Sequence, residues 1–214
     1  CNKVLRGVSF DIRRGRTLCV VGESGCGQSV TANSILRLLP ELSRIESGSI
    51  TYYKEDGSEV RLDQLEKNGK EMRALRGQDI AIIFQDPMTA LNPVFTVGYQ
   101  IEEMLREHKK GLTKAQYKEE AIEDLADMGI PAPEIRYGEY PHQFSGGLRQ
   151  RSMIAMGMSC EPKILLADEP TTALDVTIQA QILQLIDRMR QELGTAVMLI
   201  THDMGVVSEM ADWV

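Results

Sequence analysis

No apolar run in these 214 residues approaches the roughly 18 that a membrane-spanning helix needs. The two best candidates, Ile164-Leu165-Leu166-Ala167 and Ala196-Val197-Met198-Leu199-Ile200, have the length of strands. No secretory leader pattern is found. Basic charge is also short: 24 Lys and Arg stand against 31 Asp and Glu, a net charge of −7. That balance provides no footprint for nucleic acid or anionic lipid, so a role at a membrane has to work through a partner. The four cysteines, Cys1, Cys19, Cys26 and Cys160, form no C-x-x-C pair and no metal-ligand spacing. Free thiols in a reducing cytosol are the expectation. Internal repeats, low-complexity tracts and clear linkers are missing too.

What is present is a chain that is 43% hydrophobic, enough to bury the core of one large domain or of a domain with an inserted subdomain. It is organised around Val20-Val21-Gly22-Glu23-Ser24-Gly25-Cys26-Gly27-Gln28-Ser29-Val30, a strand that runs into a glycine-rich turn and then a helix. Against the phosphate-loop pattern G-x-x-x-x-G-K-[ST] it matches at Gly22, Gly27 and Ser29 and fails at Gln28, where lysine belongs. The glycines let successive N–H groups and the helix N-terminus converge on phosphate oxygens. The Ser29 hydroxyl is placed to ligate a magnesium ion.

Along the chain, Val8, Phe10 and Ile12 alternate with polar residues and predict a half-buried strand, and Thr17–Val21 predicts a strand buried on both faces. A helix is expected from Ser29 to Leu39, stopped by Pro40. Ser49–Tyr53, the turn Glu55–Ser58 and a strand from Glu59 predict a small antiparallel region. Asp79–Phe84 returns to a buried strand. Periodicity then turns helical at Ile101, Met104 and Leu105 and again at Ile122 and Leu125, with Gly129 and Pro131 as a stop. Residues 87–159 are therefore expected to form a helical subdomain inserted into an α/β core made of residues 1–86 and 160–214. Ser145 is an N-cap candidate, Lys163–Ala167 and Thr195–Ile200 are buried strands, and between them lies a long amphipathic helix capped by Gly194. Strand alternating with helix predicts a mostly parallel sheet with helices outside.

Chemistry-bearing residues stand at the carboxyl ends of these strands, where ligands bind in open α/β sheets. Asp168 and Glu169 follow four apolar residues, the arrangement that holds hydrated magnesium with the first acid and orients an attacking water with the second. Gln85 ends another strand, within reach of the same magnesium or water, and His202 ends a third, where a neutral imidazole can donate to a γ-phosphate oxygen. Each also has a plain structural reading, as a solvated or capping residue at a strand end.

The order of Gly22–Ser29, Gln85, Ser145-Gly146-Gly147-Leu148-Arg149, Ile164–Glu169, Ala173-Leu174-Asp175 and His202 resembles the nucleotide-binding domain of ABC transporters: Walker A, Q-loop, signature, Walker B, D-loop and H-loop. Phe84–Pro93, Tyr140–Gly147 and Thr171–Thr177 resemble its oligopeptide, dipeptide and nickel importer branch. The resemblance implies a P-loop NTPase (RecA-like) core that binds ATP and Mg2+. Two such domains, identical or different, would close head to tail around two ATP molecules. Gly22, Glu23, Ser24, Gly25, Cys26, Gly27, Gln28, Ser29 and Val30 of one subunit would cradle each ATP, and Ser145, Gly146 and Gly147 of the other would cover it. Ser29, Gln85 and Asp168 would serve the metal, Glu169 would polarise water, His202 would hold the γ-phosphate, and Asp175 would couple the sites. A groove near Gln85–Pro93 would receive a membrane permease, with a solute-binding protein beyond it and no nucleic acid involved.

Several features depart from that pattern. Gln28 takes the place of the Walker A lysine, so the chain's own site is expected to be impaired. Leu148-Arg149 follows Ser-Gly-Gly where the wider family has Gln. The residue that stacks on adenine is not found, and the chain reads as clipped at both ends. A hydrolytically weak regulatory subunit and a soluble ABC ATPase without a transport role stay open as alternatives.

Overall fold

The computed structural model describes residues 3–23, 25–172 and 174–214; Cys1, Asn2, Ser24 and Ala173 lie outside these. The elements run β1 (Thr17–Val21), α1 (Gln28–Ile35), β2 (Thr51–Tyr53), β3 (Glu59–Arg61), α2 (Lys70–Leu75), β4 (Ile80–Ile83), α3 (Pro87–Ala90) and α4 (Val97–His108). They continue with α5 (Lys114–Asp127), α6 (Pro133–Arg136), α7 (Gly146–Met158), β5 (Ile164–Asp168), α8 (Val176–Leu193), β6 (Ala196–Thr201) and α9 (Met204–Met210). Among the described residues no helix is long and apolar enough to cross a membrane. Cys19, Cys26 and Cys160 are free.

Among the described residues, four strands form a parallel sheet in the order β1-β6-β5-β4, and β2 pairs antiparallel with β3. Alternation along the strands splits the core between the two faces of the sheet. Cys19, Ala81, Ile83, Leu165, Ala167, Val197 and Leu199 face α4, α5, α7, α8 and α9. Ile80, Leu166, Met198 and Ile200 face α1, α2 and the β2–β3 hairpin. The α/β architecture expected from the sequence is the one observed, and covering both faces makes a buried parallel sheet possible.

Local chemistry accounts for the helix ends. Thr113 and Gln116 form a reciprocal capping box on α5, Asp175 caps α8 by accepting from the Ile178 N–H at 2.9 Å, and Gly194 ends α8 at φ 68°. Between β4 and β5 the described residues contain helices and no named strand. Their apolar side chains nonetheless share one core with the sheet, since Met153, Ile154 and Ala155 of α7 join Ile83 and Leu165 in a single cluster.

Two expectations fail. Residues 8–12 form no strand: Val8 and Phe10 are exposed, and the segment joins no ladder. Alternation creates a strand only where an open edge is available to bond it, and β1's outer edge is occupied. There the Cys19 N–H donates to Trp213 O, the Asp212 N–H donates to Thr17 O, and the Asp212 carboxylate accepts from the Thr17 N–H at 2.7 Å. The helix expected to reach Leu39 ends at Ile35, with Arg37 at φ 55°. The guanidinium of Arg76 donates twice to Leu36 O, at 2.9 and 2.7 Å, and so satisfies the carbonyl at the helix end without a further turn.

Candidate functional site

Because the strands are parallel and in register, with Val21 opposite Thr201, Asp168 opposite Ile200 and Ile83 opposite Ala167, their carboxyl ends lie side by side. The loop after β1, Gln85, Glu169 and His202 therefore rim one end of the sheet.

Gly25 and Gly27 turn the loop at φ 83° and 105°, and the Cys26 N–H closes it onto Glu23 O at 3.1 Å. Gly27 is the N-cap of α1 and supplies no side-chain cap, so the first-turn N–H groups are left to a ligand. A Cβ on Gly22 would lie 2.7 Å from Cys26 Sγ and 3.4 Å from Gln28 Nε2, so both side chains fold into the concave side of the loop. Gln28 is nearly buried, and its Nε2 donates to Val20 O at 3.1 Å. The amide expected to meet a phosphate is thus spent on the strand below. Ser24 lies outside the described residues.

Asp168, at the end of β5, has its carboxyl raised above the usual range by burial; the Ser29 hydroxyl beside it pulls the other way, and Glu169 adds to the rise. Its Oδ1 is buried with no hydrogen-bond partner among the described residues. An orphaned carboxylate oxygen next to a serine hydroxyl fits a hydrated divalent cation.

Glu169 collects the other strand ends. Gln85 Nε2 donates to its Oε2 at 2.9 Å, the Thr172 hydroxyl donates to the same oxygen at 2.8 Å, and His202 Nδ1 lies 3.3 Å from Oε1. Its backbone has φ 45°, rare for a non-glycine residue, with the N–H bonded to Ile200 O at 3.0 Å. In the tautomer that donates to Oε1, Nδ1 carries the hydrogen. The neutral ring then offers Nε2 only as an acceptor, so donation to a phosphate oxygen requires the doubly protonated imidazole or release from Glu169.

Ser145, Gly146 and Gly147 open α7 elsewhere. Ser145 caps it by accepting from the Leu148 N–H at 3.4 Å, and a Cβ on Gly147 would lie 3.0 Å from Ile178 Cγ2 of α8. These three residues thus adjoin the helix that Asp175 caps, and no hydrogen bond among the described residues joins them to Gly22–Ser29. Sequence reasoning found the clustered residues except Thr172, which it placed in the Thr171–Thr177 string without a role at the site; its hydroxyl contact with Glu169 is visible only in the structure.

The family model for ABC transporters matches residues 5–172. This chain belongs to the ABC transporter family. It is 53% identical over 211 residues to the dipeptide transport ATP-binding protein DppD of Bacillus subtilis, covering 98% of this chain and 61% of that protein. It is 48% identical to the oligopeptide transport ATP-binding protein OppD of the same organism (98% and 57% covered). It is also 50% identical to the glutathione import ATP-binding protein GsiA of Escherichia coli, with 97% and 33% covered. The chain thus spans about three-fifths or less of the length of these relatives. Among solved structures it resembles the dimeric ATP-binding cassette MJ0796 in a post-hydrolysis state with ADP and Pi. The TM-score there is 0.80 at 29% identity, with 95% of this chain and 82% of that one covered. A second dimeric MJ0796 structure gives a TM-score of 0.82 at 28% identity, with 97% and 83% covered. The P-loop architecture expected from the motifs is that of these cassettes.

Proposed function

We propose that this chain is the ATP-binding and hydrolysing part of an ABC importer for oligopeptides or dipeptides, acting at the cytoplasmic face of a membrane on permease subunits. The observation that carries the reading is the convergence of the glycine loop, Asp168, Glu169, Gln85 and His202 at one end of the sheet. The transport roles named in DppD, OppD and GsiA support the choice of cargo.

In this reading the loop N–H groups and the start of α1 hold the β- and γ-phosphates of ATP. Ser29 and Asp168, with Gln85 beside them, hold Mg2+, which when bound offsets phosphate charge. Glu169 accepts a proton from the attacking water through Oε1, once His202 Nδ1 has left that oxygen for the nucleotide. His202 steadies the γ-phosphate. Ser145, Gly146 and Gly147 serve the ATP of a second cassette, and Asp175 links the two sites. Residues 87–159 act as a helical subdomain on the core formed by residues 1–86 and 160–214. Exposed Met88, Val94 and Phe95 next to Gln85 support a permease contact there, with an extracytoplasmic solute-binding protein delivering cargo.

The Gln28 bond to Val20 favours a second, narrower reading, in which this site binds nucleotide and hydrolyses it slowly, so that turnover depends on a lysine-bearing partner cassette. The test is ATP binding and turnover by the purified chain and its Glu169→Gln variant, with Mg2+. Slow turnover in the parent, none in the variant and equal binding in both are expected. A parent that binds no ATP overturns the proposal, and a variant that loses binding overturns the assignment of Glu169.

A further inference from the structure

Glu169 Oε2 has two donors of different origin. Gln85 reaches it from the end of β4, 84 residues away in sequence. Thr172 belongs to the tight turn that Glu169 itself begins, where the Thr172 N–H donates to Glu169 O at 3.2 Å and its hydroxyl to Oε2 at 2.8 Å. The terminal torsion of a glutamate is broad, so a carboxylate with no fixed donor swings and presents either oxygen. Gln85 supplies no fixed reference, because in the proposed function its amide serves the Mg2+ site, and it cannot hold Glu169 at the same time. Thr172 remains when Gln85 departs, since its backbone is tied to the same residue.

We infer that Thr172 is a positioning residue for ATP hydrolysis: its hydroxyl pins Oε2 of Glu169, so that Oε1, on the His202 side, is the oxygen offered to the attacking water. The inference rests on the proposed ATPase function. It accounts for the left-handed backbone at Glu169, φ 45°, because this conformation begins the turn that brings Thr172 back over the carboxylate. Thr172 touches neither phosphate nor water in this scheme and acts only through Glu169, so it belongs to orientation rather than to binding.

The test measures kcat and KM for ATP in the full chain carrying Gln28→Lys, which supplies a readable rate, with Thr172→Val, Thr172→Ala and Thr172→Ser added in turn. Valine keeps the shape and removes the donor, and serine keeps the donor. Both Val and Ala are expected to lower kcat about 10-fold or more, in line with the loss of an orienting contact, with KM and ATP affinity within about twofold. Serine should restore most of the rate. Equal turnover in the Val variant and its parent overturns the inference alone, and so does a serine variant as slow as valine. A loss of ATP affinity in step with kcat overturns it too, because that pattern marks a binding or folding role. If no form turns over ATP, the ATPase reading falls and this inference with it.

Discussion

The side-chain amide of Gln28 donates to the backbone carbonyl of Val20 at 3.1 Å, beneath Gly22 and on the inner side of the glycine loop. A residue at the first position of α1 is therefore anchored to the strand that precedes the loop. To reach a phosphate it has to give up a bond that is nearly buried.

Gln28→Lys replaces that amide with a cation too long and too strongly hydrated to rest in the same place. A charge-assisted contact to phosphate contributes roughly 1.5–3 kcal/mol, so ATP affinity should rise on the order of 10- to 100-fold. Turnover should rise as well, because charge at that point also offsets charge in the transition state. Titration with ATP and steady-state phosphate release measure both. A parent that already matches the lysine variant in rate would show that Gln28 is no defect.

Burial pushes the Asp124 carboxyl on α5 up to about 7, with Lys109 pulling it down and Glu120, Asp127 and Glu123 pushing it further up. The folded state therefore holds a proton there that the unfolded chain releases near pH 4. Stability from this group is complete below that pH, falls as pH rises and is gone above about 7. Asp124→Asn removes the titration, so the variant should gain about 1–3 kcal/mol on the parent between pH 4.5 and pH 8. Urea unfolding at the two pH values measures it; parallel curves would place the carboxyl in water.

Gly98 sits in the first turn of α4 under the ring of Tyr137, and a Cβ there would lie 2.1 Å from the ring. The Tyr137 hydroxyl donates to the buried carboxylate of Glu102, so the ring has little room to withdraw. Gly98→Ala should cost about 1–3 kcal/mol by overpacking, despite the better helix propensity of alanine. Thermal unfolding checks the sign, and a stabilised variant would mean that Tyr137 moves freely.

The sheet was legible because Ile164–Ala167 and Ala196–Ile200 are continuous apolar runs bounded by polar residues, and the site was legible because those runs end on Asp168, Glu169 and His202. The errors arose where a distant group decides a local outcome. Ser29–Leu39 carries a helical pattern throughout, yet Arg76, some 40 residues on, satisfies the carbonyl at which the helix stops. Val8–Ile12 alternates as a strand does but lacks a free edge. The Thr172 hydroxyl reaches Glu169 only through a turn that begins at a left-handed glutamate, and side-chain spacing along a sequence does not record backbone handedness.

The cover that Ala211–Trp213 lays along β1 has a consequence for the chain in a crowded solution. An outer strand of a parallel sheet, here Thr17–Val21, presents a row of unpaired amide groups to any other extended chain, and its apolar sequence would hold such a chain once bonded. Hydrogen bonds from Asp212 and Trp213 take up Thr17 and Cys19 along that row. A second extended chain has to displace Asp212 and Trp213 before it can bond Thr17 and Cys19, which makes this stretch of the edge a poor template for fibrous pairing.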